Sequence, residues 1–118
     1  MGVLDRFSLK GKIALVTAGA GPLFGSSISE ALVEAGATLV TASRSLERNL
    51  EFAQHLQRAG YDAHGMELDI TRPESIESMR DAILARFGRV DILVNNALAR
   101  VGGSFETQTA EEWSYSAK

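Results

Sequence analysis

The chain has 118 residues and a net charge of −3 with both signs scattered along it, which leaves room for one domain and no basic surface of the kind that binds nucleic acid or an anionic membrane. It contains no cysteine, which excludes disulfides, thiolate metal sites and thiol nucleophiles together and agrees with a reducing compartment. No apolar run is long enough to cross a bilayer, and Met1 to Lys12 lack the continuous apolar segment of a secretory signal, so a cytoplasmic location is expected.

Ile13 to Val16 is a short, continuous apolar run bounded by turn residues, the pattern of a strand buried on both faces. Glycines and Pro22 break the pattern, and Ser26 to Ala35 then places Ile28, Ala31, Leu32 and Ala35 at helical spacing, with Gly36 as the stop. Ala37 to Ala42 reads as a second strand. Ser45 is suited to cap a helix running to about Arg58, with Leu46, Leu50, Ala53 and Leu56 on one side and Gly60 closing it. Ala63 to Leu68 is a third strand, weakened by Gly65. Thr71 and Glu74 are spaced as a capping box for a third helix whose buried stripe is Ile76, Met79, Ile83 and Phe87, ended by Gly88. Val90 to Val94 is a fourth, apolar strand. Leu98 to Thr109 reads as a loop, and Thr109 to Glu112 as a second capping start.

Strands alternating with helices of this length predict an α/β fold with a parallel sheet covered on both faces. Right-handed crossovers put the strands in the order 3-2-1-4, the first half of a doubly wound, Rossmann-type sheet. Residues 1–118 are therefore expected to form a partial dinucleotide-binding domain, truncated after the fourth strand. Without a fifth strand the edge at Val90 to Val94 stays open, so marginal stability or rescue by self-association, as a homo-oligomer, is expected.

The bend after the first strand carries the chemistry. A diphosphate needs backbone N–H groups at a helix N-terminus and no side chains in its path, and Gly19, Gly21 and Gly25 lie between a buried strand and an amphipathic helix. The end of the second strand reads Thr41-Ala42-Ser43-Arg44-Ser45. It has no carboxylate to take the ribose hydroxyls of NAD, whereas Ser43 and Arg44 are both suited to a phosphate, which favours NADP over NAD. His55 and His64 lack a serine partner or a ligand cluster at metal spacing and are read as ordinary surface and strand residues.

Taken together these segments resemble the short-chain dehydrogenase/reductase family along nearly the whole chain. Phe7 to Lys12 is similar to the family's lead-in, Thr17 to Gly25 to its Thr-Gly-x-x-x-Gly-x-Gly loop, and Leu68-Asp69-Ile70-Thr71 to the segment that meets the adenine. Asn95-Asn96-Ala97 matches the Asn-Asn-Ala-Gly signature after the fourth strand, and Glu111-Glu112-Trp113 resembles the start of the family's long fourth helix. The glycine loop fits with one residue inserted: Gly19 takes the first glycine's place, Leu23 the second's and Gly25 the third's, while Leu98 replaces the signature's last glycine. The resemblance implies cofactor contacts from Thr17, Gly19, Gly21, Leu23, Gly25, Ser43, Arg44, Asp69, Ile70, Asn95 and Ala97, and a small alcohol or carbonyl compound as the parent enzyme's substrate.

No catalytic residue is assigned within the chain. The family's serine, Tyr-x-x-x-Lys pair and helix asparagine correspond to positions past Lys118. Tyr115 and Lys118 are three apart rather than four and precede the expected fifth strand, so they are not that pair. The chain by itself is expected not to turn over. Two other readings stand beside it: a non-catalytic dinucleotide-binding module, and a truncated product that binds nothing.

Overall fold

The computed structural model describes residues 2–22, 24–97 and 109–111. After a single 3-10 turn at Val3–Phe7 come β1 (Ile13–Thr17), α1 (Gly25–Glu34), β2 (Thr38–Ser43), α2 (Leu46–Arg58), β3 (Ala63–Glu67), α3 (Pro73–Phe87) and β4 (Ile92–Val94). The four strands form one parallel sheet in the order β3-β2-β1-β4. This is the expected α/β architecture. The expected loop from Leu98 and the start of a fourth helix fall almost wholly outside the described residues; within them, Ala110 and Glu111 are helical.

In-register pairing sorts the side chains between two cores. Val16, Leu39 and Ala63 face α1 and α2, where they meet Val33, Ala53 and Leu56. Leu15, Val40 and Ala42 face α3, where they meet Leu68, Met79 and Ile83. Alternate residues of a strand point to opposite faces, so a central strand covered on both sides is apolar on both, as β1 is from Ile13 to Val16.

β4 departs from that pattern. Only Ile92–Val94 is strand, and Leu93, in register with Leu15 on the α3 side, is 56% exposed. Val94 packs into the core on the other side. The α3 layer therefore covers β3 and β2 more fully than it covers β1 and β4, and among the described residues nothing pairs with the outer edge of β4.

α1 and α2 are rotated from the stripes the apolar spacing suggested, while α3 keeps three of its four expected residues. In α1 the innermost residues are Gly25, Ser29 and Val33, with Ile28 and Leu32 flanking them and Ala31 exposed. The small residues let the helix come close to β1, where the Ser29 hydroxyl donates to the Gly19 carbonyl at 2.8 Å. In α2 the buried residues are Asn49, Ala53 and Leu56, while Leu46 and Leu50 are about two-fifths exposed. Hydrogen bonds from Asn49 to Ser43 and Ser45, and from Thr41 to Asn49, rotate the first turn away from the purely apolar solution. In α3 Met79 and Ile83 are buried and Phe87 is partly buried, but Ile76 is exposed.

The capping box expected at Thr71 does not form. Pro73 is the first residue of α3, so Arg72 is driven to extended backbone (φ −118°, ψ 108°) and becomes the N-cap, one residue later than the box requires. The Thr71 hydroxyl donates to the Asp69 carboxylate at 2.6 Å, and Glu74 pairs with the Arg72 side chain at 2.8 Å. By contrast, Ser45 caps α2 as expected, accepting from Arg48 N. Gly36, Gly60 and Gly88 all take positive φ just past their helices.

Gly65 does not interrupt β3, which pairs through it with Thr41, and its role is in packing. A Cβ there would lie 2.6 Å from Asn49 C and 2.7 Å from Asn49 O, so α2 can settle on β3 only over a glycine. Gly65→Ala is expected to destabilise the fold by about 1–3 kcal/mol, because the atoms in the way are backbone and cannot rotate aside. Urea denaturation followed by circular dichroism measures the change.

Asp91 ties the start of β4 to that of β1. Its carboxylate accepts from Ile13 N at 2.8 Å and Arg89 Nε at 2.9 Å, while its own N–H donates to Ile13 O. The bond from Ile13 N, then the Arg89 guanidinium, hold its pKa below the usual carboxylate range. A carboxyl lowered on folding adds stability that is complete above its unfolded pKa, about 4, and is lost as pH falls through its folded value. Asp91→Asn should lower the melting temperature at neutral pH and flatten its decline below about pH 4. Equal losses at pH 7 and pH 3 would contradict this.

Candidate dinucleotide site

All four parallel strands end on one edge of the sheet, and the candidate residues gather there. The strand order reverses between β1 and β4, and the crevice outside the carboxyl ends at such a reversal is where open α/β sheets take ligands.

The loop after β1 is shaped by close backbone approach. Ala18 lies in the left-handed region (φ 55°), an uncommon position for a residue with a Cβ, so the sharp turn falls one residue before Gly19. Ala18 N donates to Ala42 O at 2.7 Å, and Ala18 O accepts from Gly21 N at 3.1 Å. Gly25, the first residue of α1, presses against that same carbonyl. A Cβ on Gly25 would collide with Ala18 O and lie 3.2 Å from Asn96 Nδ2. Gly19 sits over two hydroxyls: a Cβ there would be 2.6 Å from Thr41 Oγ1 and 2.7 Å from Ser29 Oγ. Gly21 is less confined, its nearest neighbour being Ala18 O at 3.1 Å from a Cβ. Leu23 lies outside the described residues.

α1 begins with neither a side-chain cap nor a carboxylate in its first turn. α2, in comparison, has both Ser45 as cap and Glu47 in the first turn. The absence of a side-chain cap leaves the positive end of the helix dipole facing the loop, with Ser26 N turned back onto Gly21 O at 3.0 Å. Among the described residues no acceptor takes the N–H groups of Gly19 or Ala20. The loop thus offers free backbone donors next to three glycines, with Pro22 and Phe24 exposed beside them, and backbone donors at a helix start are what a diphosphate requires.

Thr17 and Asn96 fasten this loop to the end of β4. The Thr17 hydroxyl accepts from Asn96 N and from Ala97 N, each at 2.9 Å, and Asn96 Nδ2 donates to Ala18 O at 3.3 Å. The first asparagine, Asn95, is exposed. Asn96 therefore does the structural work that the Asn-Asn-Ala spacing did not divide between its two asparagines, and Thr17 acts through this anchor.

At the end of β2, Ser43 is half-buried and Arg44 is exposed. Among the described residues no hydrogen bond or ion pair engages the Arg44 guanidinium. Behind them, Asn49 Nδ2 donates to Ser43 Oγ at 2.7 Å and to Ser45 O at 2.8 Å. The fully buried Asn49 was not among the candidates, because a single polar residue inside a helix carries no periodic signal.

At the end of β3, Leu68 N donates to Ser43 O, which joins the two strand exits. The Asp69 carboxylate accepts from Thr71 N at 3.0 Å and from Thr71 Oγ1 at 2.6 Å, while Asp69 N donates to Ser75 Oγ. Those Thr71 bonds, helped by the nearby Arg44 and Arg72 charges, hold its pKa below the usual carboxylate range. Ile70 packs against the α3-side core. No group of three or more histidine or acidic side chains able to hold a metal ion occurs among the described residues.

Comparison with known proteins agrees with this fold. The family model for short chain dehydrogenases matches residues 12–117. The 3-oxoacyl-(acyl-carrier-protein) reductase FabG of Vibrio cholerae is 41% identical over 107 residues, which are 91% of this chain and 42% of that protein. Short-chain dehydrogenase/reductase 1 of Saponaria officinalis is 38% identical over 82% of this chain and 33% of its own length. Among solved structures, a gluconate 5-dehydrogenase from Burkholderia cenocepacia, in complex with NADP and tartrate, superposes with a TM-score of 0.83 at 31% identity. That match covers 98% of this chain and 45% of that one. The chain thus spans less than half the length of the relatives it matches. With the family model running from the first strand to the last residues of the sequence, the chain belongs to the short-chain dehydrogenase/reductase family.

Proposed function

We propose that the chain is the dinucleotide-binding part of an oxidoreductase that moves hydride between NAD(P)(H) and an alcohol or carbonyl substrate, with NADP preferred over NAD. The observation that carries this reading is the shape of the β1–α1 turn. It brings Gly19, Gly21 and Gly25 together beside N–H groups of Gly19 and Ala20 that no described residue accepts from, and it leads into a helix with no side-chain cap and no carboxylate in its first turn. That cradle fits a diphosphate, and family membership supplies the class of molecule that carries one.

In this reading Gly19, Gly21 and Gly25 hold the diphosphate, with Leu23 at the same loop. Ser43 and Arg44 take the 2′-phosphate, Arg44 through its planar fork of donors. Asp69 and the backbone of Ile70 meet the adenine. Asn95 and Ala97 border the nicotinamide side, above the Thr17 anchor. When bound, the cofactor supplies the hydride chemistry, and these residues supply attachment and orientation. The relatives named as reductases and dehydrogenases, one of them in complex with NADP, support the same assignment. We further propose a cytoplasmic location and, for the open edge of β4, association with a second copy. No catalytic group is assigned within the chain, so binding without turnover is expected of it.

Thermal denaturation tests the reading. NADPH at about 100 times its dissociation constant should stabilise the chain by about 2.7 kcal/mol, since it binds only the folded state, and NADH at the same concentration should do less. No shift with either coenzyme would refute it. Arg44→Asp should weaken NADPH by about tenfold or more while leaving NADH nearly unchanged or improved, as read by calorimetric titration. Gly25→Ala should abolish binding of both and lower the melting temperature, because the added Cβ drives α1 off the Ala18 carbonyl.

A further inference from the structure

Asn49 is fully buried at a helix position where hydrocarbon would ordinarily stand. Its bonding has one consistent assignment. The Ser45 carbonyl can only accept, so the amide nitrogen is the atom that faces it, at 2.8 Å. The same nitrogen lies 2.7 Å from Ser43 Oγ, which makes the Ser43 hydroxyl an acceptor there. The amide oxygen then faces Thr41 Oγ1 at 2.9 Å, which makes Thr41 the donor.

A hydroxyl has a single proton. Because Ser43 accepts from Asn49, its proton is directed elsewhere, and among the described residues no acceptor takes it. A phosphate only accepts hydrogen bonds, whereas a ribose hydroxyl both donates and accepts. Both can therefore accept from Ser43, but the bond to the charged phosphate is the stronger one, so a serine kept as a donor beside Arg44 favours the phosphate. We propose that Asn49 is a positioning residue for coenzyme selection, holding Ser43 as a donor toward the 2′-phosphate of NADPH. This rests on the reading above that Ser43 and Arg44 receive the ribose end of the dinucleotide. The same buried chain reaches the other end of the site, since Thr41 Oγ1 also forms the floor beneath Gly19.

The test is calorimetric titration of the chain and its variants with NADPH and with NADH, read as the ratio of the two dissociation constants. Ser43→Ala should reduce the preference for NADPH about tenfold, the worth of one hydrogen bond to a charged group. Asn49→Leu should reduce it by a similar factor, and the double variant should lose no more than Ser43→Ala alone, because one residue acts through the other. Asn49→Asp, of nearly the same shape, takes the Ser43 proton for its own carboxylate and should cut the preference at least as far. It replaces Asn49→Leu in the cycle if the leucine variant loses its circular dichroism spectrum. Fully additive losses in the double variant overturn the proposal alone, and an unchanged ratio in Ser43→Ala overturns it together with the assignment of Ser43 to the phosphate, leaving dinucleotide binding and the role of Arg44 intact. Absence of binding of either coenzyme to the unsubstituted chain overturns both.

Discussion

Contact between the start of α1 and the Ala18 carbonyl is the constraint on which the rest of the site depends. Gly25 has no side chain, so the helix reaches the end of β1 and leaves its N-terminal donors at the mouth of the sheet. Ala18 accepts left-handed backbone to make the turn, and two bonds hold its carbonyl, from Gly21 N and Asn96 Nδ2. The strain of such a turn, on the order of 1 kcal/mol, persists only where the surroundings over-determine it. Here those surroundings include the Thr17 hydroxyl, which fastens the exit of β4 to the same place. The loop and the switch point are thus one mechanical unit.

Beneath that unit, the core between the sheet and the first two helices contains a polar layer. Ser29, Thr41 and Asn49 are fully buried, and no buried side-chain polar atom among the described residues lacks a partner. Satisfied polar groups of this kind favour one arrangement, because sliding a helix would strand several donors or acceptors at once. The layer sets the rotation of α1 and α2 more firmly than hydrocarbon packing would. It also explains why the exposed faces of α2 carry Leu46 and Leu50.

The two faces of the sheet are unequally finished. The face under α1 and α2 is covered from β3 to β4, with Val94 joining the core, whereas Leu93 on the opposite face is mostly exposed. An apolar residue beside an unpaired strand edge is the kind of surface that another strand or helix covers. The carboxyl edge is complete in comparison: each strand exit is bonded to its neighbour, β1 to β4 through Thr17 and β2 to β3 through the Ser43 carbonyl.

The sequence by itself determined the element order, the parallel 3-2-1-4 sheet and the glycine-rich loop on its carboxyl edge. Those follow from short-range signals: apolar runs four or five residues long, glycines just past helices, and the Asn-Asn-Ala segment at the end of a strand. It also marked Ser43 and Arg44 by the absence of a carboxylate, a fact of composition at one position. Only the tertiary structure decided which faces the helices bury, where the left-handed turn falls, and that Arg72 rather than Thr71 caps α3. It likewise brought out Asn49 and Asn96, whose roles arise from partners on other elements. The physical reason is common to all of these. Hydrophobic periodicity records how much apolar surface a helix offers, but the final rotation is chosen by close backbone contacts and buried hydrogen bonds between segments far apart in the chain.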